Sequence, residues 1–176
     1  MLNNHLKKWS RTISCALFCS WLTGNALFAQ DINEAWVKAN YTKREEMIPM
    51  RDGAHLYTAI YEPIHSQKPS PILFTRTPYK AAPYGETMSN RLWRSWQKYA
   101  REKYIFVIQD VRGRWKSEGE FINVRPFVSE KEKNGKIDEA SDVYDTAEWL
   151  IYHTRNNNGN IGIIGSSYSG FYSLMG

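Results

Sequence analysis

The chain has 176 residues, 42% of them hydrophobic and 14% aromatic, with a formal charge of +5. That length suits about one domain, and the apolar content excludes a disordered chain. The charge is concentrated at the N-terminus. Residues 1–29 hold Lys7, Lys8 and Arg11 and no acid, so the remainder falls from +5 to +2, which gives no case for nucleic-acid binding.

Those first residues follow the order of a secretory signal peptide. A basic stretch precedes the short apolar run Ile13–Leu22, and Ala26-Leu27-Phe28-Ala29 offers small residues for cleavage after Ala29. The run is short for a membrane span, so the expectation is an exported protein, periplasmic or secreted, with no stable span after cleavage. An uncleaved anchor is the alternative. Both cysteines, Cys15 and Cys19, lie in this segment, which leaves the rest without disulfide or thiolate metal chemistry.

Residues 30–43 read as a flexible lead-in. Glu46–Met50 and His55–Tyr61 flank Arg51-Asp52-Gly53, a hairpin signal. In the second strand Leu56, Thr58 and Ile60 alternate with Tyr57, Ala59 and Tyr61. Ile72-Leu73-Phe74 is apolar without alternation, as expected for a strand covered on both faces. After a loop with Pro78, Pro83 and Gly85, Asn90 can cap a helix carrying Leu92, Trp93, Trp96, Tyr99 and Ala100.

Tyr104–Ile108 predicts another buried strand, ending in Gln109-Asp110-Val111-Arg112-Gly113. Residues 128–138 are a charged insertion. Ser141–His153 is helical, with Val143, Ala147, Leu150 and Ile151 on one face, and Ile161–Ile164 is a further buried strand. The fold class that follows is α/β: an antiparallel hairpin, then β-α-β-α-β, then a turn into a helix.

That last turn carries the chemistry. A serine hydroxyl needs a base to take its proton and donors to stabilise the oxyanion it creates. A nucleophile elbow seats the serine on a tight strand-to-helix turn, with the next backbone N–H aimed at the oxyanion. Close approach of the two backbones requires small flanking residues, and Gly165, Ser169 and Gly170 stand there. Ser167 has the better spacing as nucleophile, with Ser166 as competitor. The short pattern by itself also fits an ordinary turn.

Six stretches together resemble a known family. They are Pro49-Met50-Arg51-Asp52-Gly53, Arg76-Thr77-Pro78-Tyr79, Gln109-Asp110-Val111-Arg112-Gly113, Ser117-Glu118-Gly119-Glu120-Phe121, Asp145-Thr146-Ala147-Glu148-Trp149-Leu150 and Gly165-Ser166-Ser167-Tyr168. Their content and order are similar to the α/β-hydrolases that include cocaine esterase, α-amino acid ester hydrolases and bacterial Xaa-Pro dipeptidyl-peptidases. The Arg125-Pro126 stretch, the charged insertion and Gly-Ser-Ser-Tyr look most like the α-amino acid ester hydrolases and glutaryl-cephalosporin acylases.

The resemblance implies an oxyanion hole made by the Tyr79 hydroxyl and the Tyr168 backbone N–H. Without it, Tyr79 reads as a loop aromatic packing on the sheet. It also implies an acyl-Ser167 intermediate, an ester, amide or short-peptide substrate, and no metal or organic cofactor, and it leaves room for a homo-oligomer.

Asp110 and Arg112 read as a structural pair bracing their loop, Asp142 and Asp145 as cap and surface charge, and His153 as a capping or surface histidine. In this fold the triad acid and histidine follow the serine. Phe171–Gly176 contain neither. The expectation is therefore the N-terminal part of a hydrolase, inactive by itself. A non-catalytic truncated pseudoenzyme or binding module is the competing reading.

Overall fold

The computed structural model describes residues 31–129 and 136–176. The signal-peptide reading, both cysteines and the centre of the charged insertion lie outside those residues.

Helix α1 spans Glu34–Asn40 and leads directly into the hairpin of β1, Tyr41–Pro49, and β2, His55–Pro63. Strand β3 is Ser70–Thr77. A 3-10 turn, Asn90–Trp93, and helix α2, Gln97–Arg101, connect it to β4, Ile105–Asp110. Helix α3, Glu139–His153, connects β4 to β5, Asn157–Ile163, and α4 spans Tyr168–Met175. The sheet order is β1-β2-β4-β3-β5. β2 is antiparallel to β1 and β4, while β3 runs parallel to both β4 and β5.

The sheet buries both faces. Tyr57, Ala59 and Tyr61 of β2 join Leu92, Trp96, Ala100 and Phe106 on one side. Leu56 and Ile60 join Phe74, Val107, Val143 and Leu150 on the other. The period-2 alternation of β2 therefore sorts its side chains between two apolar layers rather than between core and solvent. Because β4 lies on one side of β3 and β5 on the other, the chain reverses direction across the sheet at β3. A crevice opens at such a point, beyond the carboxyl ends of the strands. Thr77 and Ile163, the last residues of β3 and β5, both end there, and the Ile164 N–H donates to the Phe74 carbonyl at 2.9 Å.

Several expectations are corrected. Of the lead-in expected over 30–43, the described residues 31–43 are ordered: Asn33 Oδ1 caps α1 by accepting from the Trp36 N–H at 2.9 Å, and Val37 is fully buried. The Tyr41 hydroxyl lies 3.1 and 3.0 Å from the Ala100 and Tyr104 carbonyls, so burial of one ring ties this segment to α2. The helix expected after Asn90 is capped by Ser89 instead and breaks at Arg94. The break lets Trp96 lie flat on Phe106, ring centroids 5.4 Å apart. On α3, Ile151 faces outward. β5 is half-exposed rather than buried, because among the described residues it pairs on one side alone.

The β3–α2 connection holds one tightly bound cation. Lys43 Nζ, its side chain 3% exposed, bonds the carbonyls of Pro83 at 2.6 Å, Gly85 at 2.5 Å and Thr87 at 3.2 Å, and Glu45 Oε1 at 3.0 Å.

Candidate active site

Ser167 sits between β5 and α4 with φ 53° and ψ −128°, a conformation that L-residues rarely adopt. The side chain is exposed at the strand–helix junction, and its carbonyl accepts the Phe171 N–H at 3.1 Å, the first bond of α4. Gly165 makes the turn possible. A Cβ there would lie 2.1 Å from the Ser169 carbonyl oxygen, so no side chain fits. At Gly170 a Cβ would meet the Gly165 carbonyl at 3.4 Å, an ordinary contact. The demand for small flanking residues thus falls mainly on Gly165.

Ser167 lines a cleft of about 530 Å³ together with Ser166, Thr75, Tyr79, Arg91 and Trp96. Tyr79 enters it from the loop after β3, adjacent to β5 in the sheet. It does not pack on the sheet: the residue is 63% exposed, and its ring meets Tyr168 edge-on with centroids 6.3 Å apart. Its backbone is held. The Tyr79 N–H donates to Thr77 Oγ1 at 3.1 Å, and the preceding Pro78 carbonyl accepts from Trp115 Nε1 at 2.9 Å and Arg114 Nε at 3.3 Å. Tyr168, next to the serine, bonds Asn123 through its hydroxyl and stacks on Tyr172 at 5.0 Å.

A buried ionic layer supports α4 and α3. Arg76, fully buried on β3, donates to Gln109 Oε1 at 3.0 Å, Glu139 Oε2 at 2.8 Å and Asp142 Oδ2 at 3.2 Å, and lies 5.6 Å from the Tyr172 ring centre. Arg112 reaches Asp142 at 2.6 Å and Asp52 at 2.7 Å. Asp142 is therefore a buried bridge between two arginines, not a cap or surface charge. Asp138 caps α3 instead, its Oδ1 accepting the Ser141 N–H at 2.7 Å. Asp145 pairs with Arg51 at 2.6 Å near the surface.

Asp110 and Arg112 both brace their loop, but not as a pair. Asp110 accepts from the Ala81 N–H at 2.6 Å and the Tyr84 hydroxyl at 2.7 Å, pinning the chain just after Tyr79. Burial pushes its carboxyl above the ordinary range, against those two bonds. Burial likewise raises the Tyr172 hydroxyl, which is enclosed without a hydrogen-bond partner among the described residues. The role of Arg76 was missed in the sequence. An arginine ending the run Ile72-Leu73-Phe74-Thr75 was the signal, since a charge inside an apolar strand needs buried partners.

Among the described residues no histidine lines the cleft. His55 Nδ1 lies 3.0 Å from Glu118 Oε2. His153 bonds the Trp149 carbonyl at 2.7 Å, near the end of α3, and stacks on the Trp149 ring at 4.2 Å. His65 lines a larger cleft of about 900 Å³ with Lys68 and Arg101, at the entry of β3 and away from Ser167. No helix among the described residues is long and apolar enough to cross a membrane.

A mixed sheet with a parallel β-α-β-α-β portion and a strained residue turning from β5 into a helix defines the α/β-hydrolase class. Residues 52–176 match the sequence profile of the X-Pro dipeptidyl-peptidase (S15) family, and the chain belongs to that family of hydrolases.

It is 34% identical over 135 residues to cocaine esterase from Rhodococcus sp. (strain MB1 Bresler), covering 76% of this chain and 21% of that protein. An aminopeptidase from a marine sediment Thaumarchaeota archaeon superposes with a TM-score of 0.65 at 37% identity, over 77% of this chain and 23% of that one. An α-amino acid ester hydrolase superposes with a TM-score of 0.66 at 35% identity, over 87% and 25%. The chain thus spans about a fifth to a quarter of the length of these relatives.

Proposed function

We propose that this chain carries the nucleophile and oxyanion hole of an exported serine hydrolase acting on esters or amides, of the α-amino acid ester hydrolase or acylase type. The observation that carries the reading is the backbone of Ser167, held at φ 53° at a strand–helix turn where Gly165 has no room for a Cβ. Such strain persists only where the surrounding structure over-determines it, and it clusters at functional sites.

In the proposed reaction Ser167 Oγ attacks the substrate carbonyl carbon and its proton passes to a general base. The oxyanion accepts hydrogen bonds from the Tyr79 hydroxyl and the Tyr168 backbone N–H. Collapse breaks the bond to the leaving alcohol or amine, which takes up the proton. Water then attacks the acyl-serine, releasing the acid and restoring the hydroxyl. These steps need no metal or organic cofactor. None of the described residues lining the cleft is a histidine, so the base and its carboxylate partner are proposed to come from outside residues 31–176. The S15 family match favours Xaa-Pro peptides as a second substrate reading within the same chemistry.

Labelling with a serine-reactive fluorophosphonate, read by peptide mass spectrometry, tests this. The 176-residue chain is expected to label slowly. Protein extended by the coding sequence beyond codon 176 should carry the label on Ser167 and lose it in Ser167→Ala. There Tyr79→Phe should slow labelling by a factor of about 10²–10³, the usual effect of losing one oxyanion donor. An extended protein that stays unlabelled, or labels on Ser166, overturns the assignment.

A further inference from the structure

The cleft around Ser167 has one charged lining residue among those described, Arg91 of the 3-10 turn. Other arginines that reach into the protein have carboxylate partners: Arg76 has Glu139 and Asp142, Arg112 has Asp52 and Asp142, and Arg44 has Glu46 and Glu62. Arg91 differs. Arg91 is half-buried and its guanidinium lies 5.5 Å from the Trp96 ring centre, with no carboxylate within ion-pair distance among the described residues. Burial lowers its proton affinity, opposed by the nearby Tyr61 hydroxyl, yet a guanidinium this basic stays charged at any physiological pH.

A partly desolvated cation without a counter-ion, oriented on an aromatic ring in a solvent-open cleft, is a site for an anion. The planar fork of arginine suits a carboxylate, which it can bind through two parallel hydrogen bonds.

We propose that Arg91 binds a carboxylate of the substrate, so that this cleft takes esters and amides bearing a free carboxylate rather than neutral ones. The proposal rests on Ser167 being the nucleophile for its catalytic meaning, and on Arg91 alone for its binding meaning. It narrows the substrate class: amides whose amine part ends in a carboxylate, and acyl groups that carry a second one, fit the cleft, whereas simple neutral esters leave the guanidinium unpaired.

The test is binding of hippurate against its neutral isostere hippuramide, followed by NMR on the 176-residue chain with the Trp96 indole N–H as the local reporter. Saturable hippurate binding that shifts this resonance, at least about tenfold tighter than hippuramide, is expected from a charge-assisted pair. Arg91→Gln should abolish that preference and Arg91→Lys should restore part of it, while Ser167→Ala should keep it. Equal affinity for the two probes, or no saturable binding of hippurate, overturns the proposal on the unmodified chain, whether or not the Arg91 variants fold.

The two readings fail separately. Hippurate preference through Arg91 in a protein whose Ser167 never labels leaves the carboxylate site standing and removes the hydrolase reading. Labelling at Ser167 without hippurate preference does the reverse.

Discussion

At the scale of single residues, Ser167 and Asp142 differ from their neighbours in ways that stability measurements can read. The Ser167 backbone occupies a region that costs a residue with a Cβ about 1–3 kcal/mol. Ser167→Gly relieves that cost and is expected to raise stability by about 1 kcal/mol in urea denaturation, after allowing for the flexibility glycine adds to the unfolded chain. Ser167→Ala keeps the Cβ and should leave stability nearly unchanged. A glycine variant less stable than the alanine variant would mean that the turn imposes no strain. Asp142 and Asp145 lie one turn apart on α3 and looked alike as charges on a helix. Asp142→Ala leaves two buried guanidiniums short of a partner and should cost about 3–5 kcal/mol. Asp145→Ala breaks a pair whose arginine side chain is 41% exposed and should cost no more than about 1 kcal/mol. Paired urea denaturation curves check both.

At the scale of elements, α3 shows how a helix is started by its own sequence. Asp138 and Ser141 bond each other reciprocally: the Ser141 N–H donates to Asp138 Oδ1, and the Asp138 N–H donates to Ser141 Oγ at 3.2 Å. Asp138 Oδ2 also accepts the Val128 N–H at 3.0 Å, so one carboxylate starts the helix and anchors the strand of loop before it. Asp138→Ala is expected to cost about 2 kcal/mol, the upper end for a lost cap, and Ser141→Ala about 1 kcal/mol or less. Thermal unfolding followed by circular dichroism reads the ranking, and a larger loss in the serine variant would contradict it. Strands β2, β3 and β4 and helix α3 were legible in the sequence because their apolar patterns are strong, whereas the start of β1 and the polar first half of β5 carry no such pattern. The α2 region was not: Leu92, Trp96 and Ala100 are all buried as the helical spacing required, but the backbone breaks at Arg94, a detail set by how Trp96 packs on Phe106. Helix α1 was also missed, because Asn33, Val37 and Tyr41 signal order through one cap and two buried side chains rather than a long repeat.

At the scale of the molecule, the hairpin, the β-α-β order and the turn from β5 into α4 were readable because each rests on local pattern. The ionic layer was not, since Arg76, Asp142, Arg112 and Asp52 come together only when the sheet and α3 are assembled. That layer gives the whole fold a pH dependence. Burial raises the Asp52 carboxyl, but the Arg112 bonds and charge outweigh it and hold it below the usual range. A lowered folded value means that the unfolded chain binds the proton first. The stabilisation is therefore complete above the unfolded value of about 3.9 and is lost as pH falls through the folded one. Asp110 acts with the opposite sign: its raised value favours the protonated native state, and stability declines as pH rises from about 3.9 through its folded value. Urea midpoints measured between neutral pH and strong acid should fall at the acid end, and Asp52→Asn should flatten that fall. An unaltered acid limb in the variant would assign it to other carboxylates.

The ammonium of Lys43, enclosed by three carbonyls and Glu45, has a chemical consequence for the surface of the protein. Amine-directed reagents attack only a lone pair, which this nitrogen exposes only by shedding a proton and leaving its cage. Under limiting acetic anhydride, Lys43 should be the slowest to acetylate of the lysines among the described residues. Exposed amines such as Lys38 and Lys98 should be modified first. Peptide mass spectrometry along a reagent series would rank them, and early modification of Lys43 would show that the Pro83–Thr87 segment opens readily in solution.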